Sequence, residues 1–191
     1  MSNLRTSISL IAHHIFRWYD INIMLNEHVA EIFSTLSRSS ALQLEKATIR
    51  LQGCSKRTTL CVGMLLSEFP QLRQLTWFSD ILPDPLVNIA SRLTSITLSC
   101  PIPADDLVRY LSQCDLATHI HITSLDQSPL HNSQSTMVLP KLEQLTLSLG
   151  VESGPGPLLR CFRFPNLRYF ESENLGCSPA HPDTRAFDDF V

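Results

Sequence analysis

The chain has 191 residues, with 15 Lys+Arg against 18 Asp+Glu and a net charge of −3. That length implies one domain, or one with a tail, and the weakly acidic balance argues against a general nucleic-acid binder, which needs clustered cations to displace counterions. An apolar fraction of 43% is too high for a wholly disordered chain.

At the N-terminus, Leu4, Ile8, Ile11 and Ile15 have helical spacing. They predict an amphipathic cap over residues 1–15, whose removal is expected to lower solubility. The apolar run Ile8 to Ala12 is too short for a secretory leader, and no run reaches the ~18 residues of a membrane span. The expected location is intracellular, cytoplasmic or nuclear, with no membrane association. The six cysteines (54, 61, 100, 114, 161 and 177) contain no C-x-x-C pair. They read as reduced thiols, mostly small core residues.

From Trp18 onward one short pattern recurs: apolar-x-x-apolar-x-apolar. The copies are Trp18-Tyr-Asp-Ile21-Asn-Ile23, Leu44-Glu-Lys-Ala47-Thr-Ile49, Leu72-Arg-Gln-Leu75-Thr-Trp77, Leu93-Thr-Ser-Ile96-Thr-Leu98, Ala117-Thr-His-Ile120-His-Ile122, Leu142-Glu-Gln-Leu145-Thr-Leu147 and the weaker Leu167-Arg-Tyr-Phe170-Glu-Ser172. Their starts are 21 to 28 residues apart, within the span of leucine-rich repeats. Positions 4 and 6 share one face of a short strand, and position 1 enters the core from the preceding turn. Such strands bury their apolar face only by stacking.

Helical signals fall between the copies. Val29, Ile32, Phe33 and Leu36 are spaced for one, and Leu60, Met64 and Leu65 suggest another before Pro70. Leu86, Val87, Ile89 and Ala90 suggest a short one. Leu107, Val108 and Leu111 follow Pro101, Pro103, Asp105 and Asp106; the two carboxylates suit the positive end of a helix dipole. Asp126 to Thr136 and the start of Gly150 to Pro157 read as loops. Residues 173–191 read as a poorly ordered tail, with Phe187 and Phe190 able to dock on the last repeat.

The expected fold is α/β: a leucine-rich-repeat solenoid over residues 16–172, of about seven degenerate repeats, with a parallel sheet on the concave face and helices on the convex face. The concave face is expected from positions 3, 5 and 7 of each copy. Its candidate partner-binding residues are Gln74, Thr76, Phe78, Ser95, Thr97, His119, His121, Gln144, Thr146, Tyr169 and Glu171, with Lys46, Thr48 and Arg50 extending the row. This surface is polar and mostly uncharged at its centre. It suits a protein or peptide held by hydrogen bonds and a few aromatic anchors, of which Phe78 is one candidate.

The stretches Arg17-Trp18-Tyr19-Asp20-Ile21 leading to Ile23 and Leu25, Phe69-Pro-Gln-Leu-Arg-Gln-Leu-Thr-Trp77, and Leu93-Thr-Ser-Ile-Thr-Leu-Ser-Cys100 with Asp105-Asp106-Leu107 and Leu111-Ser-Gln-Cys114 carry a resemblance. They resemble the degenerate leucine-rich-repeat proteins of mushroom-type fungi, many of which bear an N-terminal F-box. The likeness covers roughly residues 13–172. It implies a substrate-recognition region of an F-box-like ubiquitin-ligase adaptor. A Skp-type adaptor is implied as partner only where an F-box lies upstream; residues 1–17 are not expected to form one. The alternative is a structural or orphan repeat protein without ligase coupling. The asparagine usual at position nine is present as Asn26 and replaced in later copies, so irregular turns are expected.

No enzyme is expected. G-x-S-x-G, P-loop and G-x-G-x-x-G motifs are missing, and the Gly154-Pro-Gly156 stretch lacks the lysine and free amides that hold phosphate. His119 and His121 share a strand face and would need a third ligand to bind metal; they read as solvent-facing polar residues. His13, His14, His28, His131 and His181 form no metal-binding spacing. The expectation is a monomer with no cofactor and no metal.

Overall fold

The computed structural model describes residues 17–35, 43–126, 136–149 and 156–174. The expected N-terminal cap, the tail beyond Asn174, Leu36, Cys177 and most of both expected loops lie outside these residues. The chain divides into two compact units between Ile89 and Ala90.

The first unit alternates strand and helix: β1 (Asp20–Asn26), α1 (Glu27–Ser34), β2 (Lys46–Gln52), α2 (Lys56–Ser67), β3 (Gln74–Phe78) and the single turn α3 (Asp84–Val87). The strands are parallel in the order β1-β2-β3. Ile21, Ala47 and Leu75 share one row of the register, and Ile23, Ile49 and Trp77 the next. Positions 4 and 6 of three copies thus fall in line. The first two copies make full seven-residue strands.

The second unit holds β4 (Ser95–Ser99), β5 (Ile102–Pro103), α4 (Ala104–Leu111), β6 (His119–Asp126), β7 (Met137–Val138), β8 (Gln144–Leu149), the turn α5 (Gly156–Leu159), β9 (Phe162–Arg163) and β10 (Tyr169–Asn174). Its main sheet is parallel, ordered β4-β6-β8-β10, and β7 pairs with β9 in a second ladder. Ile96, Ile120, Leu145 and Phe170 align across four strands. Each unit is thus α/β, built on a parallel sheet. β6 runs to Asp126, where a loop was expected, because Leu125 and Asp126 pair with Ile102 and Pro103 of β5. α5 begins at Gly156, within the Gly150 to Pro157 stretch whose start was expected to be a loop. Among the described residues, the crossovers flanking β8 contain two-residue strands and a single turn, where helices of eight to twelve residues follow β1, β2 and β4.

One backbone device repeats at the start of the strands. The carbonyl of position 2 accepts two amides from the next copy. Tyr19 O takes Glu45 N (2.9 Å) and Lys46 N (3.1 Å); Glu45 O takes Arg73 N (2.8 Å) and Gln74 N (3.0 Å). Thr94, Thr118 and Glu143 do the same for the copies that follow them. Ahead of β3, β4, β6, β8 and β10, the amide of position 1 closes a turn on the carbonyl three residues back: Leu72 on Phe69, Leu93 on Ala90, Ala117 on Cys114, Leu142 on Leu139 and Leu167 on Phe164. Three of these turns read apolar-Pro-x-Leu, at 69–72, 139–142 and 164–167. Proline sets φ for the second turn position, and the residue before it drops into the core: Phe69 and Leu139 are buried.

Helix ends explain the crossovers of the first unit. Asn26 caps α1, its Oδ1 accepting from Val29 N at 3.1 Å; the position-nine asparagine therefore serves a helix end. Gly53, at φ 59°, supplies the left-handed turn from β2 toward α2 that other residues adopt poorly. Ser55 caps α2 through Thr58 N (3.2 Å). Burial on α2 falls on Val62, Gly63, Leu65 and Leu66; Met64, expected on that face, is exposed. Val29 and Ile32 of α1 are half-buried, and Ala30 and Phe33 face the core.

Candidate binding faces

In a strand every second residue faces away from the core, so parallel in-register strands build rows of side chains about 4.8 Å apart across the sheet. In the first unit these rows are Asp20–Lys46–Gln74, Asn22–Thr48–Thr76 and Met24–Arg50–Phe78. Lys46 Nζ meets Asp20 Oδ2 at 3.2 Å. The Arg50 guanidinium carbon stands 4.8 Å from the centroid of the Phe78 ring, and Arg50 Nη1 donates to Asn22 Oδ1. Phe78 is thus half-buried beneath an arginine, not the bare aromatic the sequence suggested. Trp77 points inward, fully buried, with Nε1 donating to Ile81 O at 3.0 Å. Tyr19, exposed beside the first row, donates its hydroxyl to Glu45 at 2.8 Å. That bond to a carboxylate, followed by the carboxylate's charge, raises the phenol above its ordinary pKa.

In the second unit the rows are Ser95–His119–Gln144–Tyr169 and Thr97–His121–Thr146–Glu171. The sequence-predicted residues of this unit therefore come together on one face. Thr146 is the exception in exposure: only 7% of it is accessible, because its short side chain lies in register between His121 and Glu171. It forms the floor of the face. Tyr169 is the exposed aromatic here, at 48%. The Thr118 hydroxyl donates to Thr94 O at 3.0 Å and lies 2.8 Å from His119 Nδ1.

Among the described residues, no group of three or more His, Cys, Asp and Glu converges to hold a metal ion, and no helix is long and apolar enough to cross a membrane. Cys54, Cys61, Cys100, Cys114 and Cys161 are free thiols. Burial pushes the Cys100 thiol up to about 12 and Cys114 higher still. Tyr110 is wholly buried and its hydroxyl has no hydrogen-bond partner among the described residues; burial raises it well above its ordinary value. These three groups stay protonated at neutral pH, which suits core residues rather than nucleophiles.

One polar cluster was not legible in the sequence. Glu27, the first residue of α1, reaches the start of α2. Its carboxylate accepts from Ser55 N (2.7 Å), Ser55 Oγ (2.8 Å) and Thr58 Oγ1 (2.7 Å). These bonds, Thr58 foremost, hold the carboxyl below its ordinary pKa. α2 begins with Lys56 and Arg57 and has no acid in its first turn. Glu27 supplies from another helix the negative charge that the helix dipole favours there. Only a Ser-x-x-Thr step at the start of a helix, opposite an unpaired acid one repeat earlier, hints at it in sequence.

No protein-family model, curated protein or solved structure matches the chain. Its functional reading therefore rests on the faces themselves.

Proposed function

We propose that the seven copies form a degenerate leucine-rich-repeat solenoid whose open, concave face holds a protein or peptide partner, as the substrate-recognition region of an F-box-like ubiquitin-ligase adaptor. The observation that carries the binding reading is the division of labour within the copies. In the five copies from Leu44 to Leu147, positions 1, 4 and 6 are buried in the core of their unit, while positions 3, 5 and 7 form ordered rows on the opposite face, accessible except at Thr48, Thr146 and Ser148. Such a face offers rows of hydroxyl, amide and imidazole groups with an exposed tyrosine, the makeup of a polar protein interface. The ligase coupling rests on the resemblance of residues 13–172 to fungal F-box-associated repeat proteins.

Two measurements test the two levels separately. A bulky charge in the middle of the second unit's face, Thr97→Arg, is expected to abolish partner binding with an unchanged thermal transition. Binding that survives Thr97→Arg and the matching Thr76→Arg in the first unit removes the face from consideration. For the ligase level, a recombinant Skp-type adaptor is mixed with this chain and with the longest natural isoform. Recovery with the longer form supports the coupling; recovery with neither leaves a repeat protein that binds partners outside a ligase.

A further inference from the structure

The third row of the first unit, Met24–Arg50–Phe78, differs from every other row in carrying a positive charge between two apolar side chains. Stacking on Phe78 at 4.8 Å and the bond to Asn22 hold the guanidinium in place. Arginine over an aromatic face loses little hydration and stays charged. Lys46, the other cation of this face, is answered by Asp20. Arg50 has no carboxylate partner among the described residues; its contacts are Asn22 and the Phe78 ring. The face thus holds a positioned, uncompensated cation in a chain of net charge −3. Beside it Met24 is 59% exposed and Phe78 half-buried.

We propose that this row docks a peptide segment of the partner in which an Asp or Glu stands next to an apolar residue. The inference rests on the protein-binding reading above and gives the partner a chemistry. A guanidinium has five N–H donors, and Asn22 uses one. A carboxylate accepts two of the others in parallel, the geometry that favours arginine over lysine. The adjacent apolar side chain covers Met24, whose thioether adapts to varied shapes, and the free edge of Phe78. A duplex is disfavoured, because phosphate backbones need several cations along a track and this face has one to spare.

The test is selection of a random dodecapeptide phage library on the full chain, followed by fluorescence anisotropy of a labelled selected peptide. The expected consensus holds an Asp or Glu beside an apolar residue. Replacing that acid by its amide in the peptide is expected to weaken binding at least tenfold, as is Arg50→Gln. Arg50→Lys is expected to lose severalfold, and Arg57→Gln, an exposed cation of α2 outside the rows, to leave affinity unchanged. The substitution made in the peptide reads the interaction without disturbing the fold. Selected peptides that lack an acid, or that bind Arg50→Gln as well as the natural chain, overturn this inference and leave the binding reading standing. A library that yields no binder to either face overturns both.

Discussion

Gly63 sits inside α2, where alanine normally gains about 1 kcal/mol of helix propensity over glycine. At this position the added methyl is expected to cost stability. A Cβ on Gly63 would stand 2.8 Å from Cγ and 3.2 Å from Cβ of Pro83, and 3.8 Å from Leu86 Cγ. The nearest of these is about 0.6 Å short of ordinary contact. Pro83 is buried at the start of α3, and its ring cannot rotate away as a flexible side chain would. Overpacking of this kind costs about 1–3 kcal/mol. Set against the propensity gain, Gly63→Ala is expected to lower stability by up to about 2 kcal/mol, a fall in Tm of about 2–4 °C per kcal/mol for a chain of this size. The cycle with Pro83→Ala isolates the clash: once the ring is gone the methyl has room, and the double variant is expected to be more stable than the sum of the singles by about 1 kcal/mol or more. Urea unfolding followed by far-UV circular dichroism measures all three variants. A Gly63→Ala chain more stable than the natural one, with no coupling to Pro83→Ala, would refute the close approach of α2 to the Pro83 turn.

Ile120 is at the centre of its row and 1% exposed, so Ile120→Ala is expected to cost about 2–5 kcal/mol. Thr97→Ala, on the opposite face of the neighbouring strand, should stay within about 0.5 kcal/mol; urea midpoints compare them. Because bonding depresses the folded pKa of Glu27, the stability it contributes is fully present above its unfolded value near 4.5 and is lost as pH falls through the folded value. Glu27→Gln is therefore expected to destabilise most at pH 7, and the gap between the two chains to narrow below pH 4.5; unfolding curves across that range give the sign directly. Cys100 and Cys114, with thiols raised by burial, are expected to escape iodoacetamide at pH 8 in the folded chain and to label fully in urea, read by mass-spectrometric mapping. Labelling of either at the rate of a free thiol under native conditions would mean that the segment around α4 opens readily.

The repeat was legible because two simple periods coincide: side chains alternate within a strand, and a buried leucine returns every two dozen residues. That was enough to place the core rows, even for the Trp18 and Leu44 copies. What escaped was mostly information that exists only after strands are paired. The stacking of Arg50 on Phe78 needs the register of β2 on β3. The burial of Thr146 follows from its neighbours in the row, since threonine by itself says nothing of exposure. Met64 was misplaced because helical spacing admits several faces, and Gly63, apolar by having no side chain, marks the face that makes the close approach. By contrast, the apolar-Pro-x-Leu turns were on the page as sequence. Their recurrence at 69, 139 and 164 would have located the start of three strands from turn chemistry alone.

The position-2 carbonyl that accepts two amides from the next copy is made wholly of backbone. Register between neighbouring strands of a unit is therefore fixed before any side chain of positions 2, 3, 5 or 7 is specified. The core constrains positions 1, 4 and 6 through packing, and the staple constrains the rest only to have an amide, which excludes proline and little else. This explains why the same row position can hold Lys46 and Gln74 in one unit, or Ser95, His119, Gln144 and Tyr169 in the other, with no change in strand pairing. It also locates the cost of altering function. Arg50 can be exchanged for a neutral or acidic residue at the expense of one stacking contact and one hydrogen bond, whereas changing Ile49 beside it removes a fully buried side chain. Within these units, recognition chemistry varies along the outward rows while the fold stays fixed by the inward ones and by the main chain.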